Sequence, residues 1–210
     1  MTQSYDRAKR PLDVAIAVAL FVLTLPIQTI IALVVRCRLG SPVIFRQTRP
    51  GLHGAPFEIL KFRTMLDFNP SLGLVDDASR MTPLGRWLRA TSLDELPSLW
   101  NIIRGDMSLV GPRPLKMQYL ELYSPEQARR HDVRPGVTGL AQISGRNALS
   151  WENKFRLDGY YVDHQTLLVD LKILLGTVRS VVSRDGISQA GETETTSANW
   201  LGNDHPEERP

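Results

Sequence analysis

Residues 14–35 read Val14-Ala15-Ile16-Ala17-Val18-Ala19-Leu20-Phe21-Val22-Leu23-Thr24-Leu25-Pro26-Ile27-Gln28-Thr29-Ile30-Ile31-Ala32-Leu33-Val34-Val35, 22 positions without a charge, interrupted only by Thr24, Pro26, Gln28 and Thr29. A straight helix of that length covers roughly 33 Å, close to the hydrocarbon thickness of a bilayer. Pro26 sits in its middle. A proline inside a helix withdraws one backbone donor and presses on the preceding turn, which predicts a bend, with Thr24 placed to satisfy a freed carbonyl. If the bend is sharp, neither half is long enough to cross. Arg7, Lys9 and Arg10 precede the stretch and Arg36 and Arg38 follow it, and cations mark the cytoplasmic ends of membrane segments, so both ends read as cytoplasmic. The favoured reading is a re-entrant helix-break-helix that dips into one leaflet and returns, with a single span as the alternative. No cleaved secretory signal is expected, because the apolar run is too long and no small-residue cleavage site precedes Arg36.

The rest of the chain has the composition of a soluble domain. The whole chain of 210 residues accommodates one domain of about 150 residues plus an appendage, enough to bury a core. Its 25 basic and 22 acidic residues leave a net charge of +3, all of it outside residues 14–35. That excess is too small to argue for nucleic acid, and no nucleic-acid partner is expected. It suits an anionic membrane surface or phosphorylated substrates. A single cysteine, Cys37, excludes an internal disulfide framework and fits a reducing compartment.

Beyond the apolar stretch, Val43–Gln47 and Phe57–Phe62 read as two strands of a β-hairpin around the turn-rich Arg49-Pro50-Gly51-Leu52-His53-Gly54. Asp67–Arg80 has loop composition. Leu84–Ile103 is helical in pattern and broken near Pro97, Gly105–Pro114 is a loop, Leu115–Tyr123 a short helix, and Gln127–Gly145 a turn-rich connection. Leu167, Leu168, Leu171, Leu174, Leu175, Val178, Val181 and Val182 follow helical spacing, with Lys172, Arg179 and Arg184 mostly off the stripe. This amphipathic helix packs on the core or lies in a membrane interface, and the pattern alone allows both. The expected organisation is α+β: a membrane anchor over residues 1–40, a compact, mainly helical domain over 41–185 with its hairpin, and a polar tail over 186–210.

Few residues carry a chemical signature. His53, His131, His164 and His205 lack metal-ligand spacing, and no run matches a P-loop, a dinucleotide fingerprint or a nucleophile elbow. Ser92-Leu93-Asp94-Glu95-Leu96-Pro97 places two carboxylates side by side. On a helix they would point about 100° apart, so they cannot oppose each other across one bond, but they can serve one site in different roles. A carboxylate can attack phosphorus or hold Mg²⁺. Ser92 and Glu95 equally fit a capping box, although Pro97 then falls where an amide hydrogen is needed. Gly111-Pro112-Arg113-Pro114 brackets one arginine with two prolines, either a rigid loop offering a guanidinium fork to phosphate or an exposed surface turn. Lys61, Arg63, Arg86, Arg89, Arg104, Arg134 and Arg146 form no run.

In order, Lys9-Arg10-Pro11-Leu12-Asp13, Phe45-Arg46-Gln47-Thr48-Arg49-Pro50-Gly51, Lys61-Phe62-Arg63-Thr64-Met65, the Asp94-Glu95 segment, Gly105-Asp106-Met107-Ser108, the Arg113 segment and Arg134-Pro135-Gly136-Val137-Thr138-Gly139-Leu140 resemble the bacterial sugar transferase family, the monotopic polyprenyl-phosphate phosphoglycosyl transferases. The resemblance implies transfer of a sugar 1-phosphate from a UDP-sugar to undecaprenyl phosphate, with release of UMP, on the cytoplasmic face of the bacterial inner membrane. This would be a first membrane step of glycoconjugate assembly, protein glycosylation among them. By resemblance Asp94 is the nucleophile that forms a phosphoglycosyl-enzyme, Glu95 is its acidic partner in an Mg²⁺-dependent site held by the two carboxylates, Arg113 binds phosphate, and Lys61 and Asp170 lie near the active site. Lys61 is a further candidate for phosphate, and Arg89 and Arg134 are candidates for supporting the site. Membrane lipid is an implied partner, and a homo-oligomer is left open. The chain departs from close relatives at the membrane break, with Thr24-Leu25-Pro26 in place of a usual Ser-Pro. Gly186-Ile187-Ser188-Gln189-Ala190-Gly191-Glu192, with Thr195, Trp200 and Gly202, is similar to the tails of members that use UDP-N,N'-diacetylbacillosamine; a UDP-N-acetylhexosamine or UDP-hexose is the rival donor. A reading of another class is a non-catalytic membrane-anchored binding protein for anionic lipid or a protein partner. Convergence of Asp94, Glu95 and Arg113 in one pocket would separate the two.

Overall fold

The computed structural model describes residues 2–145, 149–183, 200 and 202, so Arg146, His205 and the stretch from Gly186 to Glu192 with Thr195 lie outside the described residues. The apolar stretch lies within one helix, α1 (Thr2–Leu39), which contains both Pro11 and Pro26. Helix thus continues through the expected break. Thr24 acts differently from the expectation: its Oγ1 donates to Leu20 O at 2.6 Å, one turn back from itself. The carbonyl that Pro26 leaves without a donor is that of Val22, four residues before it. Gln28 donates to Thr24 Oγ1 at 3.0 Å, which keeps the polar groups of this region on one face. Gln28 is buried, whereas Val22, Leu23, Leu25 and Ile27 are exposed, Leu23 to 75%.

Both ends of α1 rest on the same body. Near its start, Arg10 donates to Ile103 O at 3.1 Å and to Met107 O at 3.3 Å. In its middle, Phe21 meets Trp100 with ring centroids 5.9 Å apart. At its end, Arg63 donates to Leu39 O, supplying a terminal carbonyl that no helical amide can reach.

The expected hairpin is present as β1 (Ile44–Pro50) and β2 (Pro56–Phe62), antiparallel with Ile44 opposite Phe62 and Pro50 opposite Pro56. Past the short α2 (Asp77–Arg80), the region read as one broken helix resolves into α3 (Pro83–Ala90), a 3-10 turn over Leu93–Glu95 and α4 (Ser98–Arg104). The interruption falls at Ser92, earlier than expected, where φ is 56°. Pro97 directly precedes α4, where a missing amide hydrogen is harmless. β3 (Ser108–Val110) and β4 (Gly136–Thr138), read as loop and turn, pair in parallel. Leu115–Tyr123 is not the helix expected but holds a single 3-10 turn over Met117–Tyr119. Short helices α5 (Pro125–Ala128) and α6 (Leu140–Ile143) flank β4, and two longer ones, α7 (Trp151–His164) and α8 (Leu167–Ser183), complete the described fold.

The core does not divide at residue 40. One buried cluster joins Ala17 of α1 to Ile59, Ile102, Val110, Tyr161 and Ile173, and a second joins Ile31 and Val35 to Phe62 and Leu88. A buried polar joint fastens the start of α1: Lys9 lies 2.5 Å from Asp170 and 3.4 Å from Asp13, Asp13 accepts from Ser108 Oγ at 2.6 Å, and Tyr161 donates to Asp170 at 2.8 Å. Of the apolar stripe of α8, Leu167, Leu168, Leu171, Leu175 and Val178 are exposed, Leu168 and Leu175 to 71% each, whereas Leu174 packs against the core beside the buried Asp170 and Ile173.

Candidate active site

Four separate segments meet around the Asp94-Glu95 pair. The 3-10 turn over Leu93–Glu95 carries both carboxylates, entered through the left-handed Ser92, whose side chain makes no cap bond. The capping box allowed by the spacing is therefore not formed. β2 brings Lys61, whose Nζ donates to Glu95 Oε1 at 2.7 Å. From the loop after β3 comes Arg113, whose Nη2 donates to the same oxygen at 3.0 Å. α3 contributes Arg89, which bonds Thr64 Oγ1 through Nε at 3.0 Å and bears on Asp94 by charge.

The two carboxylates differ in their environments. Burial opposes the ionisation of Glu95, but the charges and hydrogen bonds of Lys61 and Arg113 outweigh it and hold the carboxyl at about 2. Asp94 is pushed the other way, above the usual range, by burial and by the neighbouring Glu95 charge, with Lys61, Arg89 and Arg113 opposing. Asp94 is only 6% exposed, and among the described residues no hydrogen bond or ion pair reaches its carboxylate. One member of the pair is thus bonded to two cations, while the other is more basic and feels them only by charge. Both line a cleft of about 1630 Å³ that also receives Lys61, Arg89 and Arg113.

The arginine loop is placed by backbone packing. A Cβ on Gly111 would sit 2.3 Å from Arg134 O, and one on Gly136 would sit 2.1 Å from Gly111 N. Only bare backbone allows the bonds Gly111 N to Thr138 O at 2.9 Å and Gly136 N to Pro112 O at 3.0 Å. The glycines of both motifs therefore act at their mutual contact. Arg113 is anchored at its own carbonyl, which accepts from Arg130 Nη2 at 2.8 Å; Arg130 is buried and paired with Asp158 at 2.8 Å.

Of the residues read from the sequence, Asp94, Glu95, Lys61, Arg89 and Arg113 come together. Asp170 does not join them, since it accepts from Lys9, Tyr5 and Tyr161 in the joint beneath α1. Arg134 is also elsewhere, its Nε donating to Gly105 O at 3.1 Å. Arg130 and Asp158 carry no sequence signature of their own. Their pairing across distant segments leaves no local pattern, although burial of α7 through Trp151, Phe155, Asp158 and Val162 follows a helical spacing that could have been read.

No group of three or more metal-ligating side chains is present among the described residues. A hard cation with phosphate oxygens to complete its shell needs only one or two carboxylates, and Asp94 with Glu95 supplies them. The donor set therefore fits Mg²⁺ bound together with substrate.

The family model for bacterial sugar transferases matches residues 4–184. The chain is 55% identical to the sugar transferase EpsL of Bacillus subtilis over 182 residues, covering 86% of this chain and 90% of that protein. It is 44% identical to the UDP-glucose:undecaprenyl-phosphate glucose-1-phosphate transferase of Caulobacter vibrioides over 191 residues, 86% of this chain and 72% of the relative. With the undecaprenyl-phosphate galactose phosphotransferase of Salmonella typhimurium it shares 36% identity over 197 residues, 85% of this chain but 41% of the larger relative. A match over nearly the whole length, together with the motifs gathered at the cleft, places this chain in the bacterial sugar transferase family.

Proposed function

We propose that the protein transfers a sugar 1-phosphate from a UDP-sugar to undecaprenyl phosphate through a covalent intermediate on Asp94. An Asp94 oxygen attacks the sugar-bearing phosphorus, the bond from that phosphorus to the bridging oxygen of the diphosphate breaks, and UMP leaves with the bond's electron pair. A phosphate oxygen of undecaprenyl phosphate then attacks the same phosphorus and displaces the Asp94 carboxylate, giving the polyprenyl diphosphate sugar. The observation that carries this reading is the asymmetry of the pair, with Glu95 clamped by Lys61 and Arg113, and Asp94 faced by the same cations but without a hydrogen bond among the described residues. Such convergence supports an enzyme over a non-catalytic membrane-anchored binding protein.

Charge supports a role for Mg²⁺. A diphosphate brings two negative charges up to the carboxylates of Asp94 and Glu95, which Lys61, Arg89 and Arg113 face. Attack of one anion on another is eased by positive charge held next to the reacting oxygens. Asp94 and Glu95 would hold Mg²⁺ with the diphosphate; the bound ion supplies such positive charge. Arg113 orients the phosphate, and Lys61 keeps Glu95 ionised.

The position of α1 supports a monotopic seat on the cytoplasmic face of the inner membrane. A helix that crossed the bilayer would carry one end away from the domain, yet Arg10 and Leu39 both bond to it. The exposed apolar residues of α1 around Pro26, with Leu168, Leu171, Leu175 and Val178 of α8, then meet lipid. With the exposed Cys37 replaced by serine, single cysteines placed before Pro11 and after Arg38 should label from the same side; labelling from opposite sides would mean a span.

For the donor we favour UDP-N,N'-diacetylbacillosamine, on the resemblance of the stretch from Gly186 to Gly202. Relatives named for glucose and galactose support UDP-hexose as the second reading. UMP release measured over a donor panel, with undecaprenyl phosphate and with or without EDTA, decides between them. No turnover of any donor by folded protein with Mg²⁺ would overturn the reaction itself.

A further inference from the structure

Trp200 lies far along the chain from the catalytic pair, yet its indole is buried in a box of four rings. Its centroid is 4.9 Å from Phe155, 5.2 Å from Tyr119, 5.3 Å from Tyr123 and 5.8 Å from Trp151. The contact with Tyr123 is stacked at 27°. Two of these rings face Arg130, whose guanidinium carbon stands 5.5 Å from the Phe155 centroid and 5.7 Å from that of Tyr123. Tyr123 Oη also accepts from Arg130 Nη1 at 3.2 Å. Arg130 in turn holds the Arg113 carbonyl, and Arg113 reaches Glu95. An unbroken path of contacts leads from Trp200 to the candidate catalytic pair.

Arg113 depends on such support. Its side chain is 46% exposed, so packing against the side chain does little to fix it. Pro112 and Pro114 restrict the dihedrals of the loop but do not fix where it stands. Its anchored backbone helps to set its position, and the anchor's charge rests on two rings that Trp200 holds.

We infer that Trp200 is a positioning residue for the phosphate-handling site: by closing the aromatic box it fixes Tyr123 and Phe155, and through Arg130 it holds Arg113 in register with Glu95 and the donor's diphosphate. This inference rests on the proposed role of Arg113.

The test is a double-mutant cycle in the full chain, read as kcat/KM for the UDP-sugar in UMP release, with thermal unfolding followed in parallel. Trp200→Ala should lower kcat/KM of order tenfold, because small displacements of a positioning group carry costs of that size. Trp200→Phe, which restores a ring, should recover to within about threefold of wild type. In an Arg113→Ala background, Trp200→Ala should change kcat/KM by less than about twofold, since the path then has no terminus. Trp200→Leu, which keeps apolar volume without a ring, carries the same test if the alanine variant does not fold. A variant that melts earlier but has wild-type kinetics, or an equal loss with and without Arg113, would overturn the inference and leave the site intact. Wild-type activity in Arg113→Ala itself would instead overturn the site.

Discussion

Replacing Glu95 with glutamine separates the two carboxylates experimentally. In the unfolded chain Glu95 titrates near 4.5, and in the fold Lys61 and Arg113, acting against burial, hold it at about 2. The folded state therefore binds the proton less readily. Its preference for the ionised form contributes stability that is complete above pH 4.5 and is lost as pH falls through about 2. The difference corresponds to about 3 kcal/mol, which the partly buried side chain, 18% exposed, allows to stand without heavy solvent screening. Glu95→Gln forfeits that contribution at pH 7 but also relieves the repulsion on Asp94, so it should melt below wild type by less than the full 3 kcal/mol implies. The gap should narrow as pH falls from 4.5 towards 2. Kinetically the substitution removes the negative neighbour of Asp94 but keeps the three cations, so the Asp94 carboxyl falls and the acid limb of the remaining activity moves to lower pH. Thermal melts of detergent-solubilised protein from pH 2 to 7, with UMP release over the same range, measure both effects. A Glu95→Gln variant as stable as wild type at pH 7, or a melting gap that does not vary with pH, would refute the clamp.

Other outcomes follow from the same geometry. Lys9→Met leaves Asp13 and Asp170 buried without their cation and should cost about 3–5 kcal/mol in urea unfolding, with the turnover of the remaining folded protein little changed because the joint lies outside the cleft. Gly111→Ala drives a Cβ to 2.3 Å from Arg134 O and should reduce UMP release about a hundredfold by displacing Arg113. Gly159→Ala in α7, where a Cβ meets nothing within 4 Å, should leave activity unchanged and raise stability by up to about 1 kcal/mol.

What could be read without coordinates was what local pattern encodes. The uncharged run of α1, the strands of the hairpin and the proximity of Asp94 to Glu95 all lie within short windows. The failures have distinct physical causes. Ser92 reads as a cap because of its spacing to Glu95, but its left-handed backbone turns the chain so that both carboxylates enter the cleft. β3 and β4 are three residues each and pair across a wide sequence separation, too short for any alternation to register. Asp158 interrupts the apolar face of α7 because its partner, Arg130, comes from another segment. Asp170, read with the site, serves the joint beneath α1. The gathering of Lys61, Arg89 and Arg113 is tertiary. Each comes from a different element, and only Arg113, bracketed by Pro112 and Pro114, carries a local mark that sets it apart from a solvated cation.

The central claim is that Asp94 becomes covalently linked to the sugar phosphate. Incubation with the accepted UDP-sugar and Mg²⁺, without undecaprenyl phosphate, followed by intact-protein mass spectrometry, tests it directly. The account predicts up to one equivalent of UMP per protein, a mass gain of one phosphosugar that maps to Asp94 and disappears when undecaprenyl phosphate is added, and neither signal in folded Asp94→Asn. UMP release that requires the acceptor, or an adduct that persists in Asp94→Asn, would contradict it.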